Sequence, residues 1–467
     1  MTKLAEGGFN KVFKLLMDND SVVIARIPDP IVGRASRVKT VLKIPVPKVL
    51  SWSEDDTNEV EAAYILMEPA KGTQLGEIWQ DMEKDAKMTL VEDLVAIQKK
   101  FASVTFSCYG SLYFAADAFP GCVKAGITGA VTPETKDYVE SRFVVGPSAE
   151  RSFYEPKQAL GSLECGPWPS AHKYLETLVD RERLKLASNS SLPSSESDTA
   201  RNDRLSLLHK FEAVSPYILP QETRLSRPTI WHWDLRSPNL FVEHGRITSV
   251  IDWQDVWIGP LFLQAKRPRL VQYHGAITLR LPDGYEEMED KDEKARVTQQ
   301  VEKSILFWCY GEDIKTRNPE LHELLILPLA RKRKETVKFA SEISEGDVTP
   351  LRECLIQLMR HWVDLGTGVD CLIDFTEEEI AAHDQEAESW NEIADCWSAL
   401  HGFVARDGWT SLENYEEAVD LFKRLREEGL KNLDGDELVE FERESRWVVE
   451  STSIDGKGSA RETRGVE

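Results

Sequence analysis

Long apolar runs are missing from this chain: no stretch approaches the length that crosses a bilayer as a helix, so membrane insertion is not expected. Cysteine is scarce and scattered. The seven residues, at positions 108, 122, 165, 309, 354, 371 and 396, are odd in number and form no CxxC pair, which fits a reduced compartment and mostly buried thiols. Basic residues are also in deficit, with 57 Lys and Arg against 80 Asp and Glu and a net charge of −23. Such a balance repels nucleic acid and anionic lipid unless a local patch intervenes. The densest basic run, "ARKRKE" ending at Glu335, sits in a helical context and reads as a solvated helix face. Neither an apolar signal region nor an Arg/Ser-rich transit pattern is seen in "MTKLAEGGFNKVF". The chain as written is therefore expected in the cytoplasm, or in mitochondria if the amino terminus is incomplete.

What is present is a soluble globular composition, 41% hydrophobic and 29% charged, over 467 residues, which is more than one ordinary core and predicts two or three structural units. The first stretch alternates like strands. "NKVFKLLM" and "SVVIARI" flank the turn residues "DND" and predict an antiparallel hairpin. The prolines of "IPVPKVLSW" forbid helix, and "AAYILME" reads as a buried strand ending at Pro69. From Asp85 to Val104, Met88, Val91, Leu94, Val95 and Phe101 recur at helical spacing and open a mainly helical region. Residues 121–170 suggest an ordered irregular insertion, and the polar segment from about 187 to 204 a disordered loop. Helices resume after Pro268, and the tail 451–467 is expected to be disordered. Trp308, Trp362 and Trp397 are expected to fill core.

The chemistry concentrates in "WHWDLRSPNLFVEHGRITSVIDWQD", residues 231–255. "NLFVE" and "RITSVID" are strand-like and His244-Gly245 supplies a two-residue turn, so the second strand folds back and brings Asn239 and Asp252 to the same end of a hairpin. A carboxylate and a carboxamide oxygen converging there suit Mg²⁺, which takes hard oxygens and completes its shell with water and phosphate. Asp234, five residues before Asn239, is placed to accept the proton of an attacking hydroxyl while a metal neutralises phosphate charge. His232 alone reads better as a buried residue satisfying a backbone carbonyl. A glycine loop over phosphates is the expected counterpart. Gly7 and Gly8 of "EGGFNKVF", with Asn10 to hold the turn, are the candidates, and Arg26 could reach a phosphate from a strand. A glycine pair ahead of a strand is also an ordinary hairpin turn, and Arg26 an ordinary edge-strand cation.

As an ordered set, "EGGFNKVF", "VIARIP", "IPVPKVLSWS", "YILMEPAKGTQLGEIW", "FVVGPSAERSFY", "GPW", "WHWDLRSPNLFVE", "IDWQDVWIGPLFLQA" and "DGW" resemble the aminoglycoside phosphotransferase-like enzymes, small-molecule relatives of protein kinases. The resemblance is to their fungal branch, which includes the altered-inheritance-of-mitochondria proteins, and it runs from about residue 4 to 410. It implies an α+β, protein-kinase-like two-lobe fold with a small β-rich lobe over residues 1–68 and a larger helical lobe over 69–450. It also implies ATP and Mg²⁺ as cofactors, Asp234 as catalytic base, and Asn239 and Asp252 as metal ligands. Gly7, Gly8, Phe9 and Asn10 would then lie over the phosphates, with Arg26 in the place of the usual lysine. Met67, Glu68 and Ala70 would form the connector whose backbone meets adenine. Two departures stand out: the segment "IPDPIVGRASRVKTVLK" has no glutamate and is too short for the helix that carries one in this fold, and Met1 stands only a few residues before the glycine loop, so the small lobe reads as shortened. The expected function is phosphoryl transfer to a hydroxyl of a small molecule. The alternative is a kinase-like pseudoenzyme that binds nucleotide or partners without turnover. The acidic balance leans toward cationic acceptors, and no residue names one.

Overall fold

The computed structural model describes residues 1–7, 10–28, 42–53, 57–150, 153, 164–188, 198–253, 256–399, 415–432 and 434–446. They divide into two compact units, Met1–Phe375 and Thr376–Glu467.

The first unit opens with a five-stranded antiparallel sheet. Strands β1 (Thr2–Gly7), β2 (Asn10–Leu16), β3 (Val22–Pro28), β4 (Val49–Ser53) and β5 (Tyr64–Met67) stand in the order β1-β2-β3-β5-β4. The expected "DND" turn closes β2 onto β3: the Asp20 amide donates to the Met17 carbonyl at 2.9 Å, and Asp20 takes the left-handed φ of 60° that a short polar side chain tolerates. Along β3 the alternation is that of a one-sided sheet, with Val23 and Ala25 buried between half-buried Ile24 and Arg26. Strand β5 is half-buried along its length rather than fully enclosed, because only part of each face is covered. Most of the shortened segment between β3 and β4, residues 29–41, lies outside the described residues.

Beyond the connector, β6 (Thr73–Gln74) and α1 (Leu75–Ile78) lead into α2 (Lys84–Ala102), whose Val91, Leu94, Val95 and Phe101 are buried as the helical spacing predicts, while Met88 is half-buried. The region expected to be an irregular insertion is more regular than that. After β7 (Val104–Phe106) and β8 (Ser111–Phe114), it holds β9 (Val123–Lys124), β10 (Ile127–Gly129), α3 (Pro133–Arg142) and β11 (Phe143–Gly146), with the strands pairing as β10-β7 and β8-β11-β9. Strands of two to four residues leave little periodicity to read. Helices α4 (Ala171–Ser188) and α5 (Asp198–Ile218) take in residues 187–188 and 198–204 of the segment expected to be a loop, and residues 189–197 lie outside the described residues. Asp198 stands in the first turn of α5, and the polar residues after it form a solvated helix start that composition alone does not separate from a loop.

After β12 (Pro228–Ile230), β13 (Leu240–Glu243), β14 (Arg246–Val250) and β15 (Ile258–Pro260), the chain is helical again as expected. It runs through α6 (Leu261–Gln264), α7 (Lys291–Arg317), α8 (Pro319–Ile326), α9 (Ala330–Ala340) and α10 (Thr349–Arg360). One apolar core, from Leu42 to Ile373, joins these elements. Two details differ from expectation. The basic run at the head of α9 is not simply solvated, since Arg333 is buried, stacks on Phe262 at 4.8 Å and donates to the Ile218 carbonyl at 2.7 Å. Trp308 faces outward on α7, 44% exposed, whereas Trp362 is buried against Tyr217; the Trp397 side chain lies outside the description. The second unit contains α11 (Glu377–Ala399), α12 (Tyr415–Asn432) and α13 (Gly435–Glu444), and Arg426 of α12 donates to Ser445 just past α13 at 3.1 Å.

Candidate functional site

Strand β12 pairs with β15, and the two residues after it stay in the core: Trp231 is 0% and His232 1% exposed. The next residue turns out, leaving Trp233 39% exposed, and Asp234 follows, half-buried. Leu235 dips back into the core and anchors the loop, and a 3-10 turn over Ser237–Asn239 delivers Asn239 to the start of β13. The hairpin then closes as the sequence predicts. Leu240 pairs with Val250 and Glu243 with Arg246, and His244 and Gly245 take φ of 52° and 72°, the pair of left-handed residues a tight reversal needs.

The fold-back brings the expected residues together. The Asn239 side-chain amide donates to the Asp234 carboxylate at 2.9 Å and to the Asp234 carbonyl at 3.0 Å. The Ile251 amide donates to the Asn239 carbonyl at 2.9 Å, which puts Asp252 beside Asn239. Asp252 takes φ of 65°, an uncommon backbone state for a residue with a side chain, at the point where the chain leaves the hairpin. From the sheet, Arg26 on β3 reaches across and donates to Asp252 at 2.7 Å, a pair whose side chains are 11% and 24% exposed.

His232 holds this arrangement from below. One ring nitrogen, Nε2, bonds the Ile251 carbonyl at 2.9 Å, while Nδ1 accepts from the Asp234 amide at 3.2 Å. That partner set calls for the neutral ring with its proton on Nε2. Burial pushes the His232 pKa below its ordinary value, against the raising effect of the Ile251 carbonyl and nearby carboxylates, so the ring stays uncharged. Its edge packs on Trp253 at 4.8 Å, whose indole donates to Val250 at 2.9 Å. The expected role of His232, satisfying a buried carbonyl, is the one it has. It ties Asp234 to the exit of the hairpin.

The connector runs along the same hairpin. Met67 ends β5, the Glu68 amide donates to Lys48 at 2.9 Å, and Ala70 is half-buried. The Lys71 amide then donates to Ser249 at 3.1 Å, and Thr248 donates to the Lys71 carbonyl at 2.6 Å. Gly72, at φ of 91°, lies so close to β13 that a Cβ there would sit 2.4 Å from the Val242 carbonyl oxygen. Gly7 and Asn10 form the last pair of β1 and β2, and the two residues joining them, Gly8 and Phe9, lie outside the described residues.

Could these residues take a divalent cation? The amide end of Asn239 is committed to Asp234, which leaves its oxygen as the end available to a metal, and Arg26 holds one oxygen of Asp252. One carboxamide and one carboxylate oxygen suit a Mg²⁺ that fills its other positions with water and phosphate. Among the described residues no group of three or more His, Cys, Asp or Glu could cage a metal.

Three neighbours escaped the sequence reading. Arg236 donates to the Asp234 carboxylate at 2.6 Å, beside the Asn239 bond. Lys266, just past α6, lies over the Trp233 ring at 5.1 Å. The signal for Arg236 and Trp233 was adjacency to Asp234 in the same loop; Lys266, 32 residues further on, left none.

Residues 33–263 match the model of the phosphotransferase enzyme family. A subtelomeric hrmA-associated cluster protein of Aspergillus fumigatus is 27% identical over 93% of this chain and 94% of its own length. Altered inheritance of mitochondria protein 9 of Kluyveromyces lactis, named as mitochondrial, is 25% identical over 88% of this chain and 74% of its own length. Among solved structures, the aminoglycoside phosphotransferase APH(4)-Ia, in a ternary complex with AMP-PNP and hygromycin B, aligns over 79% of this chain and 94% of that chain with 14% identity and a TM-score of 0.36. No helix among the described residues is long and apolar enough to cross a membrane.

Proposed function

We propose that this chain, whose residues 33–263 carry a domain of the phosphotransferase enzyme family in a protein-kinase-like α+β fold, transfers the γ-phosphate of ATP to a hydroxyl of a small molecule with the help of Mg²⁺. The observation that carries this reading is the joining of Asp234 to Asn239, and of Asn239 to Ile251 next to Asp252, through one hairpin. In it, Asp234 accepts the acceptor's hydroxyl proton as oxygen attacks phosphorus. Asn239 fixes the Asp234 carboxylate through its amide and offers its oxygen, with Asp252, to the metal. Bound there, Mg²⁺ would neutralise charge on the transferring phosphoryl oxygens. Arg26 orients Asp252 and supplies a positive charge to the phosphates. Gly7, Gly8, Phe9 and Asn10 cover the phosphates, and the backbone of Met67, Glu68 and Ala70 receives the adenine. On this reading residues 1–68 form the nucleotide lobe and 69–450 the helical one, followed by a tail. Cytoplasmic residence is part of the same proposal, with mitochondria as the alternative suggested by the names of the relatives.

Calorimetry with Mg-ATP tests the first step. Binding in the micromolar to millimolar range is expected, and no heat of binding with ATP at several millimolar would end the proposal. A second reading is favoured by one observation: Arg236 and Arg26 already neutralise the two carboxylates, as in a site that satisfies itself. A pseudoenzyme of this kind would bind nucleotide yet release no ADP with any acceptor. Acceptor-stimulated ADP release that disappears in Asp234→Asn excludes it.

A further inference from the structure

Cations buried in this chain generally meet carboxylates. Lys87 pairs with Glu302 at 2.7 Å, Arg181 with Glu182 at 3.0 Å, and Arg227 with Glu320 at 2.6 Å. Beside Asp234 the pattern breaks. Among the described residues, half-buried Lys266 and Lys334 have no carboxylate within ion-pair distance, and neither do the exposed Arg269 and Lys338 near Lys266, in a protein with 23 more acidic than basic residues. They sit together: Lys334 donates to the carbonyl of Ala265, next to Lys266, and both Arg269 and Lys338 act on the charge of Lys266. The acidic group felt by Lys266 is Asp234 itself.

Such a cluster is costly without a counter-ion. Burial, then repulsion from Arg269, lowers the Lys266 pKa, and burial with repulsion from Arg333 pushes Lys334 down to about 7. An incoming anion beside Lys266 offsets the repulsion from Arg269 and Lys338, so the site is preorganised for one. It is also open. Arg269 and Lys338 are exposed, Lys266 is half-buried with its amine over the Trp233 ring at 5.1 Å, and Trp233, the residue preceding the base, is 39% exposed.

We propose that the acceptor carries an oxyanion, a carboxylate or a phosphate, and that Lys266, backed by Arg269 and Lys338, receives it beside Asp234 while Trp233 covers the acceptor's apolar face. This deepens the phosphotransferase reading and rests on it. It also reverses the lean toward cationic acceptors that the net charge suggested, because net charge does not describe a pocket.

The test uses the full chain, calorimetry and three probes of one carbon skeleton: gluconate, glucose 6-phosphate and glucosamine. Each is titrated with Mg²⁺ and AMP-PNP present, so that the phosphate positions of the nucleotide are occupied. At least one anion is expected to bind about tenfold or more tightly than glucosamine, and which one it is separates carboxylate from phosphate recognition. Lys266→Gln should weaken that anion about tenfold and the exposed Lys338→Gln about threefold, with AMP-PNP affinity unchanged. Lys338→Gln keeps the test readable if the Lys266 variant misfolds. Glucosamine binding as tightly as either anion, no anion binding up to about 20 mM, competition between anion and AMP-PNP, or variants that bind like the parent would each overturn the proposal. Failure of Mg-nucleotide binding in the parent chain is a separate result and counts against the phosphotransferase reading instead.

Discussion

Two hairpins frame the candidate site and they are built differently. The β13–β14 hairpin is locked from inside: His232, Asn239, Val250 and Trp253 are buried, and hydrogen bonds join the loop before it to the residues after it. The β1–β2 hairpin stands on the rim of its sheet, with Leu4 53% and Leu16 67% exposed. The proposed base and metal ligands thus sit on a scaffold whose deformation costs buried bonds, while the strands on either side of the proposed phosphate cover carry exposed leucines at the rim of the sheet. Arg26 joins the two regions through Asp252. The contrast suggests a division of labour in which chemistry needs fixed geometry and nucleotide entry needs a cover that can give.

The sharpest way to break the comparison is at the base. Asp234→Asn keeps the shape of the hairpin but removes the proton acceptor, so turnover should fall about 10³-fold while Mg-ATP affinity changes less than about threefold. Equal losses of both would mean that Asp234 builds the nucleotide site instead. Next in size is the anchor. His232→Ala removes two buried hydrogen bonds and leaves the Ile251 carbonyl without its partner, which should cost about 2–4 kcal/mol in urea unfolding. On the other hairpin Leu4→Ser should stay within about 0.5 kcal/mol. Similar costs at the two positions would erase the distinction.

Between the hairpins, Arg26→Gln should weaken Mg-ATP binding about tenfold and cost about 1–3 kcal/mol of stability, since it leaves the largely buried Asp252 carboxylate without its cation. Arg26→Lys restores the charge without the planar fork and should recover only part of the affinity.

How far the sequence could be read follows the same division. The β13–β14 hairpin was legible because every step in it is local: Asp234, Asn239, the His244-Gly245 reversal and Asp252 lie within 19 residues, and a two-residue turn fixes which of them meet. The sheet was legible from alternation and proline. What was lost depended on distant chain segments. The inward turn of Arg333 is decided by Phe262 and Ile218, over 70 residues away, and the approach of Lys266 to Trp233 by the path through β15 and α6. The short strands of the 121–170 region pair with β7 and β8 just before it and with one another, over elements too brief for periodicity to mark.

The inward basic face of α9 has a signature in pH. Lys334 has a folded pKa of about 7, below its ordinary value, so between about pH 7 and 10.5 the unfolded chain binds a proton that the folded chain does not. Its contribution to stability therefore rises with pH across that window and falls as pH drops through it. Lys334→Met should flatten the rise by up to about 1.4 kcal/mol per pH unit in urea midpoints taken at pH 7 to 10, a change that no residue of the β1–β2 hairpin should reproduce.

The smallest effect concerns the reversal that the whole site hangs from. His244 occupies a left-handed position, φ 52°, followed by Gly245 at 72°, and is exposed there. Asparagine enters that conformation with less strain than histidine, because its short side chain can hydrogen-bond locally, and Asn-Gly is the preferred pair for this turn. His244→Asn should therefore raise stability by about 0.5 kcal/mol and leave turnover unchanged, since the gain comes from the turn and not from the buried bonds at the other end of the hairpin. A loss of stability would show that His244 makes a contact its geometry does not suggest. A gain in stability accompanied by a loss of turnover would show instead that the hairpin must bend at its tip during the reaction, and the rigid half of the comparison would have to be given up.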